Sequence, residues 1–184
     1  MNFLKKLKKE AEQLKMKELA KLRKDAKQGD IRAMAMLAFS YLDEAAKWFK
    51  AAAEQGDANA QYNIAVLYFN GCGVPRDYKE STKWCRKAAI QGYVNAQFML
   101  GEAYIHGYGV KEDYSKAAKW LRKAGYQGHS NAQFLLGEAY ADGLGVTKNN
   151  IKALRWYYQA AKNGNVEAQK IVEKCENAIF KKPN

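Results

Sequence analysis

Residues 132–146 read Ala132-Gln133-Phe134-Leu135-Leu136-Gly137-Glu138-Ala139-Tyr140-Ala141-Asp142-Gly143-Leu144-Gly145-Val146, and the same order of residue types stands at 96–110 and at 60–74. Ala-Gln opens each copy, at Ala60-Gln61, Ala96-Gln97 and Ala132-Gln133, and returns as Ala168-Gln169. Gln55-Gly56, Gln91-Gly92 and Gln127-Gly128 recur every 36 residues, Asn163-Gly164 keeps the beat, and Trp48, Trp84, Trp120 and Trp156 share the interval. Separate features in phase at one period, between about 20 and 50 residues, mark a stacked-repeat protein.

Each unit reads as two helices. Ala60, Ile64, Leu67 and Tyr68 line one face of the first. Ala117, Trp120, Leu121 and Ala124 line one face of a second. The second pattern recurs as Ala45, Trp48, Phe49, Ala52 and as Ala153, Trp156, Tyr157, Ala160, the spacing of a single α-helical face. One pair cannot bury such faces alone, whereas stacked neighbours can, so the periodic tryptophans read as core. Gly71-Cys72-Gly73-Val74, Gly107-Tyr108-Gly109-Val110 and Gly143-Leu144-Gly145-Val146 separate the two helices, their glycines free to adopt the positive φ of a tight turn. Asp77, Asp113 and Asn149 follow where they would cap the second helix, with Glu80 placed to complete a capping box with Asp77. Gly56, Gly92, Gly128 and Gly164 would close it, and Asp57 and Asn165 would cap the next first helix.

The run from Ala132 to Tyr140, followed by Gly143, Gly145-Val146, Trp156, Ala160-Ala161 and Gly164, resembles the Sel-one-like repeat, a relative of the tetratricopeptide repeat. The resemblance extends from about Ala26 to Gln169. It implies an all-α fold, a right-handed α/α superhelix of helix-turn-helix units with a concave protein-binding surface. It also implies an adaptor or scaffold, of a kind that in bacteria serves signalling, secretion, host interaction or immunity to secreted toxins. Secreted relatives staple each repeat with a cysteine pair. Here Cys72, Cys85 and Cys175 show no such pairing.

The expected organisation is a basic amphipathic capping helix over 1–28, four repeats over 29–164, and a capping helix and tail over 165–184. The first repeat is short, because Gln28-Gly29 precedes Gln55-Gly56 by 27 residues. The deficit lies between Tyr41 and Asp43, where the G-x-G-V turn is absent. Either the turn is deleted or a loop is missing from the sequence. Since two long helices need a turn to reverse, a loop is the expectation.

With 184 residues and 48% apolar or aromatic content, the chain can bury a continuous core. Its net charge is +12, half of it in residues 1–28, where ten Lys and Arg face four Asp and Glu. Leu4, Leu7, Ala11, Leu14, Leu19, Leu22 and Ala26 make that segment amphipathic, a cover for the apolar edge of repeat one. Charged residues where a signal peptide needs an apolar core, together with unpaired cysteines, predict a cytoplasmic protein.

On the concave face, the first-helix positions not used for the core form a stripe: Met36 and Phe39; Asn63, Val66 and Asn70; Met99, Glu102 and His106; Leu135, Glu138 and Asp142. Apolar anchors mixed with carboxylates suit a protein partner's peptide or helix. Lys83, Arg86, Lys87, Lys119, Arg122, Lys123, Lys152 and Arg155 sit instead on second helices, the expected convex side. Periodic core tryptophans cannot also serve as a base-stacking platform, which disfavours nucleic acid. The alternative function is peripheral binding to anionic membrane or nucleic acid through the basic N-terminal helix and that convex face. No catalytic, cofactor or metal site is expected. His106 and His129 are the only histidines, and neither stands at metal or triad spacing from carboxylates or thiols.

Overall fold

Glycines and short polar side chains set where each helix stops and starts. The computed structural model describes residues 2–180, without the side chains of residues 2–11, 31, 34–35, 37–39 and 178–180. Among the described residues there are nine helices and no strand: α1 (Asn2–Lys27), α2 (Ile31–Glu54), α3 (Ala58–Asn70), α4 (Tyr78–Ile90), α5 (Val94–His106), α6 (Tyr114–Tyr126), α7 (Ser130–Asp142), α8 (Asn150–Lys162) and α9 (Val166–Phe180). Gly71, Gly107 and Gly143 end α3, α5 and α7 in the left-handed conformation. Asp77, Asp113 and Asn149 then accept the first free amides of α4, α6 and α8. Asp57 accepts from the Ala60 N–H at 2.6 Å, and Asn165 from the Ala168 N–H at 2.8 Å. The capping box does not form. Glu80 accepts from Lys83 Nζ at 2.8 Å, and the Asp77 N–H donates to the Tyr68 carbonyl at 2.9 Å.

The fold is a helical repeat solenoid. Helices α3 and α4, α5 and α6, and α7 and α8 pair as hairpins, and each second helix packs on the next first helix. Small residues set the closeness. An added Cβ on Gly101 would meet Leu121 Cδ2 at 2.7 Å, and one on Gly137 would overlap the Tyr157 ring, so these second-helix residues seat against bare backbone. Between repeats the second turn glycine makes the approach. A Cβ on Gly109 would overlap the Tyr78 carbonyl, and one on Gly145 the backbone of Tyr114.

A ladder of side-chain amides joins the repeats. Gln91 Nε2 donates to Gln61 Oε1 at 2.8 Å and to the Gly56 carbonyl at 3.0 Å. Gln127 repeats this on Gln97 and Gly92, and Asn163 on Gln133 and Gly128. Gln61, Gln97 and Gln133 are buried and donate in turn to the carbonyls of Ala53, Ala89 and Gly125.

The first repeat differs from the three that follow. No loop reverses the chain between Tyr41 and Asp43: α2 runs unbroken for 24 residues, with the first repeat's two helices fused end to end. Several of its side chains are exposed. Trp48 is 71% exposed, whereas Trp84, one repeat later, is 5% exposed, which corrects the reading of all four tryptophans as core. Trp120 and Trp156 are half-buried.

Helix α1 ends as a second helix does. Arg23 Nε donates to Tyr41 Oη at 3.3 Å, the 18-residue link that Arg86 makes to Tyr104 and Arg122 to Tyr140. Of its apolar stripe, Leu19, Leu22 and Ala26 are half-buried and Leu14 is exposed, while Leu4, Leu7 and Ala11 fall outside the described side chains.

Two glycines separate strain from packing. Gly109→Ala adds a left-handed alanine and a backbone overlap, and is expected to cost about 3 kcal/mol or more. Gly92→Ala adds a left-handed alanine in open space, and is expected to cost about 1 kcal/mol. Urea unfolding of the two variants measures the difference, and equal losses would mean that the repeats do not approach through Gly109.

Candidate protein-binding site

Charge is sorted by helix. Helix α3 carries no acidic or basic residue, α5 carries Glu102 and the terminal His106, and α7 carries Glu138 and Asp142. The second helices are basic: α4 holds Lys79, Lys83, Arg86 and Lys87 against one carboxylate, Glu80, and α6 and α8 hold seven more Lys and Arg with none.

Four members of the expected stripe meet. Glu102 and His106 of α5 and Leu135 and Glu138 of α7 line one hollow of about 250 Å³. Ile105, Tyr114, Leu121 and Leu144 belong to its apolar wall. Sequence reading missed Ile105, Tyr114 and Leu144, because their pattern marks them as core or turn and nothing local tells that a hollow opens beside them. The other stripe members stand apart from it. Met99 is half-buried against the core, Val66 is half-buried, and the Asn63 side-chain amide donates to Asn59. Met36, Asn70 and Asp142 are not part of this hollow, and Phe39 lies outside the described side chains.

Glu102 and Glu138 are half-buried, and neither has an ion-pair partner among the described residues. Burial raises the Glu102 carboxyl above the ordinary carboxylate range, and nearby His106 offsets part of the rise. Burial does the same to Glu138, reinforced by Asp142. Close by, burial and then the Glu138 and Asp142 charges push the Tyr157 phenol up to about 12.

A second, larger groove of about 980 Å³ lies between α6 and α8. Its cations are Arg122, Lys152 and Arg155, no carboxylate lines it, and its aromatic members include Tyr126, Trp156 and Tyr158. Tyr126 is 76% exposed, with its ring centroid 5.4 Å from that of Trp156. The expectation that Trp156 belongs wholly to the core is therefore corrected: one face seats on Gly125, and the indole also lines this groove.

The remaining reactive groups serve the fold. His129 Nδ1 accepts from the Ala132 N–H at 3.2 Å, its ring stacks 4.3 Å from Phe98, and burial lowers its pKa, favouring the neutral form that can accept. Cys85 is buried, donates Sγ–H to the Ala96 carbonyl, and burial pushes its thiol up to about 12. Cys72, Cys85 and Cys175 are all free. No helix among the described residues is long and apolar enough to cross a membrane.

The Sel1 repeat family model matches residues 42–57, 58–93, 94–129 and 130–165. A protective antigen of uropathogenic Escherichia coli with an SLR fold aligns at 40% identity and a TM-score of 0.68, over 82% of this chain and 34% of that one. A Sel1 repeat protein from Oxalobacter formigenes aligns at 37% identity and a TM-score of 0.70, over 75% of this chain and 56% of that one. The chain thus spans about a third and just over half of the lengths of these two relatives. Cysteine rich protein B of Helicobacter pylori, 23% identical with a TM-score of 0.58 over 72% of this chain and 96% of that one, shares the fold. A search among curated proteins finds no match. The first family match is short and begins at Leu42, inside the fused helix, and the three that follow each coincide with one hairpin of the solenoid: this chain belongs to the Sel1 repeat family.

Proposed function

We propose that this chain is a cytoplasmic interaction module that grips a partner protein through the α3, α5 and α7 face, the concave side of the solenoid. Sel1 repeat proteins generally mediate protein–protein interaction and are typically not enzymes. The observation that carries the finer reading is the pair Glu102 and Glu138, half-buried without an ion-pair partner among the described residues, beside Leu135 and Ile105 in a chain with 31 Lys and Arg. Desolvated carboxylates cost stability in the free protein, and a partner's cation would offset that cost. The segment that fits is therefore a basic side chain flanked by an apolar one. The free thiols support a reducing compartment.

A second reading is peripheral binding to an anionic membrane or nucleic acid through the second helices and the N-terminal helix. The α6–α8 groove favours it, with three cations and no carboxylate beside exposed aromatic rings. Salt separates the two, since phosphate contacts weaken steeply with ionic strength and an apolar-anchored protein contact does not.

A raised carboxyl makes stability depend on pH. The folded state keeps the Glu102 proton in a pH window where the unfolded chain has lost it, so stability falls as pH rises through that window. Glu102→Gln should raise the unfolding midpoint at neutral pH and leave it unchanged in acid below the ordinary carboxylate range. An equal gain at both pH values would refute the burial penalty.

Binding is tested by charge reversal. Glu102→Lys with Glu138→Lys should weaken capture of the native partner at moderate salt by about 30-fold or more, the loss of one interface hot spot. Lys119→Glu, Lys123→Glu and Arg155→Glu together should leave capture nearly unchanged. Partners retained from native lysate are identified by mass spectrometry, and affinities are then measured with the purified partner. Loss of capture in the second set alone would move function to the outer face.

A further inference from the structure

In three repeats a first helix folds back on its own second helix, and in two of them one pair of equivalent positions is in direct contact. Gly101 faces Leu121 and Gly137 faces Tyr157. One repeat earlier the pair is Ala65 and Cys85, both buried. In the first repeat the corresponding positions are Ala38 and Phe49, counting from Gly29 and from Gly56. They cannot meet within one chain, because α2 carries both on one continuous helix. Eleven residues along a helix separate them by about 16 Å.

Several large side chains of α2 are left exposed. Tyr41 is 46% exposed, whereas its counterparts Tyr104 and Tyr140 are 5% and 9% exposed. Trp48 is 71% exposed and Met36 58% exposed. The amide ladder also stops here, since Met34 stands where Gln61, Gln97 and Gln133 stand in later repeats. A methionine has no amide with which to hold the first hairpin in register.

We infer that α2 pairs with α2 of a second copy of this chain in a reciprocal exchange. Residues 31–42 of one copy pack antiparallel on residues 43–54 of the other, as a first helix packs on its second helix in every complete repeat. Because both faces lie on one helix, forming one contact forms its mate, and the two-fold pairing closes without leaving an open edge. A shortened hinge loop that cannot fold back is the known structural route to such swapping. The occupant is another copy because the Ala38 and Phe49 positions are each other's complement by repeat, and no single chain can bring them together. The dimer carries two arrays, α3–α9, outward from the dyad, each with its own hollow and groove.

The experiment uses the full chain with Cys72→Ser and Cys175→Ser, leaving only buried Cys85, and adds Ala38→Cys and Phe49→Cys. Under mild oxidation the exchange predicts a covalent dimer, with the thiol introduced at position 38 of one copy linked to that at position 49 of the other. Non-reducing electrophoresis and peptide mapping read the link. A monomer with the link inside one chain would show that α2 breaks into a hairpin and would overturn the proposal, as would the absence of any link. A second variant keeps the cysteine-independent logic testable. Copying His106–Tyr114, nine residues to match the nine that the first repeat lacks, between Leu42 and Asp43 restores a turn. The unmodified chain should show dimer mass by light scattering, dissociating on dilution, and the insertion variant should be a monomer throughout. A monomeric unmodified chain at high micromolar concentration would equally overturn the exchange.

Discussion

A primary amide has a donor end and an acceptor end, and this solenoid uses both at every complete joint. Gln61, Gln97 and Gln133 are buried between repeats, where an unsatisfied amide would cost about 1–3 kcal/mol. Each avoids that cost by donating to the end of the preceding second helix while accepting from the residue that ends its own. Sliding one repeat along its neighbour would leave both ends unpaired. The ladder therefore holds the register in which Gly101 meets Leu121, Gly109 meets the Tyr78 backbone, and Arg86 and Arg122 reach the Tyr104 and Tyr140 hydroxyls.

That register also sorts the surface. First helices bury Ile64, Leu100 and Leu136, and the charges left on them are few and acidic. Second helices put lysines over tryptophans, Lys87 Nζ at 4.0 Å from the Trp84 ring centroid and Lys123 Nζ at 4.2 Å from that of Trp120. A cation over an indole is stabilised by the ring's electron-rich face, and the lysine stem shields the ring from water. The basic balance is thus partly structural, and its density on one side follows from the same period that builds the core.

Where the period is broken, the consequences run together. The first repeat is nine residues short of the period and carries no turn, so its two helices run on as one. Met34 removes the amide rung at the same place. Yet Arg23 still finds Tyr41, so the last turns of α1 pack as a second helix does. At the opposite end α9 covers the last repeat, with Ala168 and Val172 buried and Glu176 accepting from the Tyr158 hydroxyl at 2.7 Å.

Sequence alone determined the repeat, the helix pairs, most caps and the turn glycines, because each depends on residues a few positions apart and the 36-residue period repeats the message. It marked Glu102 and Glu138 as candidates, since subtracting core positions from a helix leaves its other face. Only the tertiary structure decided that these two share a hollow with Ile105, Tyr114 and Leu144, for that depends on how far apart successive first helices sit. Only it exposed Trp48, whose local pattern matches that of buried Trp84, because burial is decided by what packs over a residue. The fused helix was likewise not legible. A short first repeat does not say how its two helices follow one another, and the unbroken helix α2 over Ile31–Glu54 shows that they run on as one.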